Sequence, residues 1–66
     1  METFQHATVH GQLRHWMIDT GNGEPIRKDL VTLPTVLNEL CREGWEVYWV
    51  LESRDGEQTV FVRRPA

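Results

Sequence analysis

The feature that most constrains this sequence is a helix pattern, a glycine and a strand pattern that follow one another directly between Thr32 and Arg64. Apolar residues recur there at i, i+3, i+4, i+7 and i+8, which places them on one stripe of a helix. The stripe comprises Leu33, Val36, Leu37, Leu40 and Cys41. We therefore expect a helix with one buried face, on which Cys41 acts as a small hydrophobic residue.

Both ends of this helix carry recognisable signals. Thr32 is placed to be the N-cap, and Pro34 lies in the first turn, where a missing N–H group costs nothing. Gly44 falls where a left-handed C′ residue ends a helix, and Trp45 follows at C″, where it can pack against Leu40. We therefore assign structural roles to Gly44 and Trp45.

The period of the apolar residues changes to two after Trp45, which indicates a strand, and Asp55-Gly56 favours a two-residue type I′ turn into a second strand. That turn would place Arg54 opposite Glu57, Leu51 opposite Val60 and Trp49 opposite Val62. One face would then carry Val47, Trp49, Leu51, Val60 and Val62, and we expect the helix to pack there. The other face would carry Glu46, Tyr48, Val50, Glu52, Thr59, Phe61 and Arg63.

The N-terminal half contains two further segments rich in β-forming residues, Phe4 to Val9 and Leu13 to Ile18, with His10-Gly11 suited to a tight turn between them. A loop begins at Thr20, and a short strand around Pro25 to Lys28 is compatible with the pattern. Neither alternation is clean, so the buried face of these strands stays open.

These elements add up to one small α+β domain over residues 1–66. We predict an antiparallel sheet of three to five strands with one helix packed on one face, in the order β-(β)-α-β-β. A chain this short buries only about 60% of the surface that its unfolded form exposes, so a partner subunit would help to stabilise it. A single helix also leaves one sheet face uncovered, and an apolar patch there would mark an interface.

Composition narrows the functional classes. The net charge of −3 argues against a protein that coats nucleic acid or an anionic membrane. No apolar run approaches the roughly 18 residues of a membrane-spanning helix, and the first residues lack the pattern of a signal peptide. The single cysteine excludes an internal disulfide, and we expect a cytoplasmic protein.

The sequence offers little for catalysis or metal binding. Ser53 is the only serine, and no nucleophile and base stand at a recognisable spacing, so we predict no enzyme. The three histidines are His6, His10 and His15. Residues i and i+4 of a strand lie roughly 13 Å apart, too far to share one ion. We therefore predict no metal site and no cofactor, and keep a histidine-based site as a minor alternative.

The helix and hairpin resemble a known family. Leu37-Asn38-Glu39-Leu40, then Glu43-Gly44-Trp45-Glu46-Val47, and a closing Val60 to Pro65 are similar to the short bacterial and phage proteins of domain-of-unknown-function family 4177. The resemblance covers about residues 33–65. It implies an N-terminal strand, a helix and a terminal strand, and it supplies no activity and no catalytic residues.

The function that we expect is therefore a protein-interaction module. It would self-associate, as a homodimer or a higher oligomer, through the uncovered sheet face or an edge strand, and regulate a larger partner. The predicted interface residues are Trp16, Tyr48, Val50, Phe61 and Arg63. The alternative is a platform for single-stranded nucleic acid built from Arg14, Trp16, Tyr48, Arg63 and Arg64.

Overall fold

The computed structural model of the protein describes residues 3–66, and the predicted domain's first two residues lie outside that range. Its elements are β1 (Phe4–Gln12), β2 (His15–Asp19), β3 (Ile26–Asp29), α1 (Leu33–Arg42), β4 (Glu46–Glu52) and β5 (Gln58–Pro65). The strands form one antiparallel sheet in the spatial order β3-β2-β1-β5-β4. The predicted α+β class is confirmed.

The end of α1 follows the sequence signals closely. Gly44 has φ 91°, and its N–H donates to the Cys41 carbonyl at 3.0 Å. The Trp45 N–H donates to the Leu40 carbonyl at 3.1 Å, which completes a Schellman motif. Trp45 and Leu40 are both buried, so the residue that ends the helix also directs the chain back into the core.

One face of the sheet, which we call the helix face, packs against α1. Val36 and Leu40 of the helix pack there against side chains of β1, β2 and β5, and the buried Trp45 belongs to the same core. The sheet residues in this core are Ala7, Val9, Trp16, Ile18, Val60 and Val62. Every second residue of each strand points this way, which settles the buried face of the N-terminal strands.

Cys41 is exposed, so its predicted burial is wrong. The reason is the width of the helix stripe. Val36 and Leu40 are buried and Leu37 only partly, whereas Cys41 lies about 140° around the helix axis from Val36. That position is beyond the arc of the helix that contacts the sheet.

The β4–β5 turn differs from the predicted two-residue turn. The Ser53 N–H donates to the Glu57 carbonyl at 2.8 Å, and the Gly56 N–H donates to the Ser53 carbonyl at 3.2 Å. The loop is therefore a three-residue turn followed by a bulge. Inside it, the Asp55 carboxylate accepts hydrogen bonds from the Ser53 hydroxyl and the Glu57 N–H, and both lower the pKa of Asp55.

The longer turn shifts the β4–β5 register by one residue. Val50 now pairs with Val60 and Trp49 with Phe61, so the predicted pairing of Trp49 with Val62 is wrong. Because a shift of one residue exchanges the two faces, Trp49 moves away from the helix and Val50 moves toward it. An irregularity between Val47 and Trp49 then adds a second shift, which pairs Val47 with Val62 and places Val47 on the helix face.

The β1–β2 turn also lies three residues later than predicted. β1 continues through His10-Gly11 to Gln12, and Leu13-Arg14 forms the turn. Gly11 lies in the ladder opposite Trp16, where a Cβ atom would stand 2.0 Å from the His15 carbonyl oxygen. Glycine is needed here for a close approach between strands and not for a turn. The short strand expected around Pro25 to Lys28 is present as β3.

Candidate functional site

The sheet face opposite α1, which we call the outer face, carries alternate residues of all five strands. None of the elements described for residues 3–66 covers it, since the single helix lies on the other side. Its residues include Phe4, His6, Thr8, His10, His15, Met17, Asp19, Arg27, Asp29, Glu46, Tyr48, Trp49, Leu51, Thr59, Phe61 and Arg63. Aromatic and histidine side chains concentrate toward the β1, β5 and β4 side.

Four rings and one guanidinium form a cluster on this face. Tyr48 lies at its centre, with its ring 5.8 Å from the His6 ring and 6.3 Å from the Phe61 ring. The Arg63 guanidinium is 5.2 Å from the Tyr48 ring centre and 4.7 Å from the Phe4 ring centre. Such cation–π contacts contribute roughly 0.5–1 kcal/mol each at exposed sites, so the cluster fixes the orientation of Tyr48.

Polar contacts hold the same cluster at its margin. The Arg63 Nε donates to the Glu46 Oε1 at 2.8 Å, and the Tyr48 hydroxyl lies 3.2 Å from the His6 Nδ1. Beside Tyr48 and Phe61 is an open concavity of about 350 Å³, whose floor includes Thr8 and Asp19. The Asp19 carboxylate already accepts the Gly21 N–H at 2.9 Å. The concavity is therefore a shallow, largely apolar depression with its one carboxylate engaged in the loop.

The three histidines share the outer face but have separate partners. His6 lies beside Tyr48, the His10 Nδ1 is 4.0 Å from Glu57, and the His15 Nδ1 is 3.0 Å from Asp29. The hydrogen bond with His15 lowers the pKa of Asp29, and Arg27 adds to this against the opposing effect of desolvation. No three His, Cys, Asp or Glu side chains among residues 3–66 are placed to hold a metal ion.

The most exposed apolar segment is β4, which is also one edge of the sheet. Its five central residues are apolar, and their exposed fractions are 41% for Val47, 41% for Tyr48, 59% for Trp49, 54% for Val50 and 50% for Leu51. The strand has apolar side chains on both faces because α1 does not reach it on the helix face. Among the strands of residues 3–66, only β5 pairs with it, so no described strand pairs with the backbone groups on its other side.

Natural sheets usually protect such an edge with lysine, proline, a short strand or a covering loop. β4 has seven residues and contains no lysine or proline, and its charged residues are confined to its two ends, Glu46 and Glu52. The irregularity at Tyr48 is its one protective feature. The edge therefore has the composition of a strand that accepts another strand.

The predicted interface residues fall in three places. Tyr48, Phe61 and Arg63 lie together on the outer face. Val50 is exposed but lies on the helix face, so its predicted position on the uncovered face is wrong because of the register shift. Trp16 is only 4% exposed, so its prediction as a surface contact is wrong.

Trp16 serves a different purpose. Its indole N–H lies 3.2 Å from both the Leu13 and the Val31 carbonyl oxygens, and the ring belongs to the core. The side chain therefore fastens the β1–β2 turn to the segment before α1. Sequence reasoning missed two exposed residues of β4 instead, Trp49 and Leu51. The signal that could have placed them was Gly56, which is equally compatible with the longer turn.

The arginines predicted for nucleic-acid binding do not share one surface. Arg64 lies against Trp45, with the guanidinium 4.4 Å from the ring centre, and it donates to Gln5 and to the Glu43 carbonyl. Arg14 belongs to the β1–β2 turn, and Arg63 alone stands in the outer-face cluster, where it is paired with Glu46. Basic and stacking groups are thus distributed over different sides of the molecule.

Comparison with known proteins assigns no role to this surface, because no family model, curated protein or solved structure matches the chain significantly. Within residues 3–66, no helix has the length and apolar character needed to cross a membrane.

Proposed function

We propose that this protein is a small, non-enzymatic interaction module of the cytoplasm, which self-associates through the free edge of β4 and regulates a larger protein. The observation that carries this proposal is the exposure of the five consecutive apolar residues, Val47 to Leu51, on a strand at the edge of the sheet. Exposed apolar patches of this kind on small proteins mark interaction sites, and an unpaired edge offers hydrogen bonds in addition.

The size of the segment sets the expected strength of association. Tyrosine and tryptophan side chains present roughly 150–250 Å² each when fully accessible. Complete burial of the exposed surface of Tyr48, Trp49 and their aliphatic neighbours in both copies would give an apolar contact of about 900 Å², an upper limit that lies just below the roughly 1,000 Å² of biological interfaces. We therefore expect reversible association with a Kd on the order of micromolar.

The same edge explains how a larger protein could be engaged. A strand of the partner that pairs with β4 would gain main-chain hydrogen bonds, while the concavity beside Tyr48 and the exposed ring of Trp49 would select its side chains. Self-association and partner binding would then compete for the edge of β4. The concentration of the free module would decide which fraction of the chains is paired with a second copy and which is bound to the partner. The resemblance to family 4177 adds the proposal that the chain is an accessory protein of a bacterium or phage.

The test is sedimentation equilibrium of the purified protein from about 1 µM to 500 µM, a range that brackets the Kd inferred from the contact area. Trp49→Lys should leave a monomer over the whole range, because it places a charge in the apolar contact. Ile26→Lys is the matched control, since Ile26 is 51% exposed on β3, the opposite edge of the sheet. It should associate like the natural protein. A natural protein that remains monomeric at 500 µM contradicts the proposal.

A further inference from the structure

We propose that the strand bound at the edge of β4 is the β4 of a second copy, paired antiparallel about a two-fold axis at Val50. This inference rests on the proposed function and adds the occupant and the register. It predicts a continuous sheet of ten strands from two copies of the five-stranded sheet. An axis perpendicular to the sheet places both helices on one side and both aromatic clusters on the other.

The direction of the backbone groups along β4 supports this axis. The Ser53 N–H points toward β5, because it donates to the Glu57 carbonyl. Backbone groups alternate in direction along an antiparallel strand, so those of Leu51 and Trp49 also point toward β5, whereas those of Val50 point away from the sheet. Two copies of Val50 can therefore exchange both N–H···O bonds across the axis.

The side chains that meet in this register are all apolar near the axis. Val50 faces its own copy on the helix side, and Trp49 faces Leu51 of the second copy on the outer side. Each of these three residues is at least half exposed in the single chain. Pairing of β4 with the β4 of a second copy would therefore cover the three most exposed apolar residues of the strand together.

Charge distinguishes this register from its neighbours. An axis at Trp49 would place Glu46 opposite Glu52 of the second copy, which repels. An axis at Leu51 would set Glu52 opposite Val50, directly beside the axis, whereas an axis at Val50 sets Glu52 opposite Tyr48, one residue farther out. With the axis at Val50, Glu46 and Arg54 are four residues to either side of it and come within one residue of each other across the interface. Arg54 makes no ion pair within residues 3–66, so it is free to pair with that carboxylate.

Oxidative cross-linking tests the register. The exposed Cys41 is first replaced by serine, and Val50→Cys is compared with Leu51→Cys in that background. Across the proposed axis the two copies of residue 50 have Cα atoms about 5.5 Å apart, which suits a disulfide, whereas those of residue 51 are offset by two residues and lie roughly 8 Å apart. We expect Val50→Cys to cross-link at least tenfold faster at a protein concentration near the Kd.

Sedimentation and cross-linking together distinguish a failure of the proposed register from a failure of the proposed self-association. A protein that dimerises in sedimentation but cross-links as fast at residue 51 as at residue 50, or at neither, overturns the register and leaves self-association standing. A protein that stays monomeric in sedimentation overturns both. Cross-linking of a mixture of Trp49→Cys and Leu51→Cys chains provides the second readout, because these positions face each other only in this register.

Discussion

Gly11→Ala should destabilise the protein far more than an ordinary glycine substitution in a strand. Gly11 pairs with Trp16 of β2 and with Gln58 of β5, so its backbone is fixed on both sides. An added Cβ would stand 2.0 Å from the His15 carbonyl oxygen and 3.1 Å from the Trp16 Cα. These are backbone atoms of the ladder, which cannot move aside without breaking strand pairs and displacing Trp16 from the core.

Gly44→Ala provides a reference for the loss of stability that we expect from Gly11→Ala. Gly44 has φ 91° and no atom within 4 Å of an added Cβ, so alanine there carries only the cost of the left-handed conformation, about 1–2 kcal/mol. Gly11→Ala adds a severe clash, and we expect a loss of more than about 3 kcal/mol. A domain of this size has a free energy of unfolding of roughly 3–10 kcal/mol, so Gly11→Ala should remove much or all of it.

Thermal unfolding followed by far-ultraviolet circular dichroism measures both variants. At a fixed protein concentration, Gly44→Ala should lower Tm by about 4–16 °C, and Gly11→Ala should lower it further or abolish the cooperative transition. The fixed concentration matters because self-association raises Tm by mass action. A Gly11→Ala protein as stable as Gly44→Ala would refute the close approach of β1 and β2 at this position.

Two further predictions concern Leu13 in the β1–β2 turn and Asp29 at the end of β3. Leu13 has φ 55° and is 83% exposed, so Leu13→Gly should relieve backbone strain without a loss of packing and raise Tm by up to about 5 °C; a lower Tm contradicts this. The pKa of Asp29 is lowered from 3.8, so its contacts with His15 and Arg27 stabilise the fold above that pH and lose this effect as the pH falls through the lower folded-state pKa. Asp29→Asn should therefore lower Tm at neutral pH and leave it unchanged near pH 2, whereas an equal difference at both pH values would exclude this origin.

The sequence predicted best those elements whose signals are local. The helix, its end at Gly44 and the return of Trp45 to the core depend on residues within one or two turns, and all are present as expected. The third strand and the antiparallel sheet also follow from local period and turn residues. The predicted burial of Cys41 was wrong because the burial of that position depends on how much of the helix surface contacts the sheet, which no local sequence pattern encodes.

The strand registers could not be obtained in the same way. Asp55-Gly56 fits both a two-residue and a three-residue turn, and His10-Gly11 fits both a turn and a strand with a close neighbour. In the structure, hydrogen bonds of Ser53 and Glu57 select the longer turn, and the approach of β2 explains Gly11. A change of one residue in turn length was enough to exchange the faces of Trp49 and Val50.

That exchange determines which apolar residues of β4 are exposed. In the predicted register Trp49 and Leu51 would have been core residues under the helix, and the apolar residues of β4 left exposed would have been Tyr48 and Val50 on the outer face. In the observed register α1 covers β1, β2 and β5, and the apolar residues of β4 stay exposed on both faces. A strand that is apolar on both faces is typical of the interior of a sheet, whereas an edge strand of a monomer usually has one polar face. The composition of β4 is therefore that of a central strand, and pairing with a second β4 would give it that position.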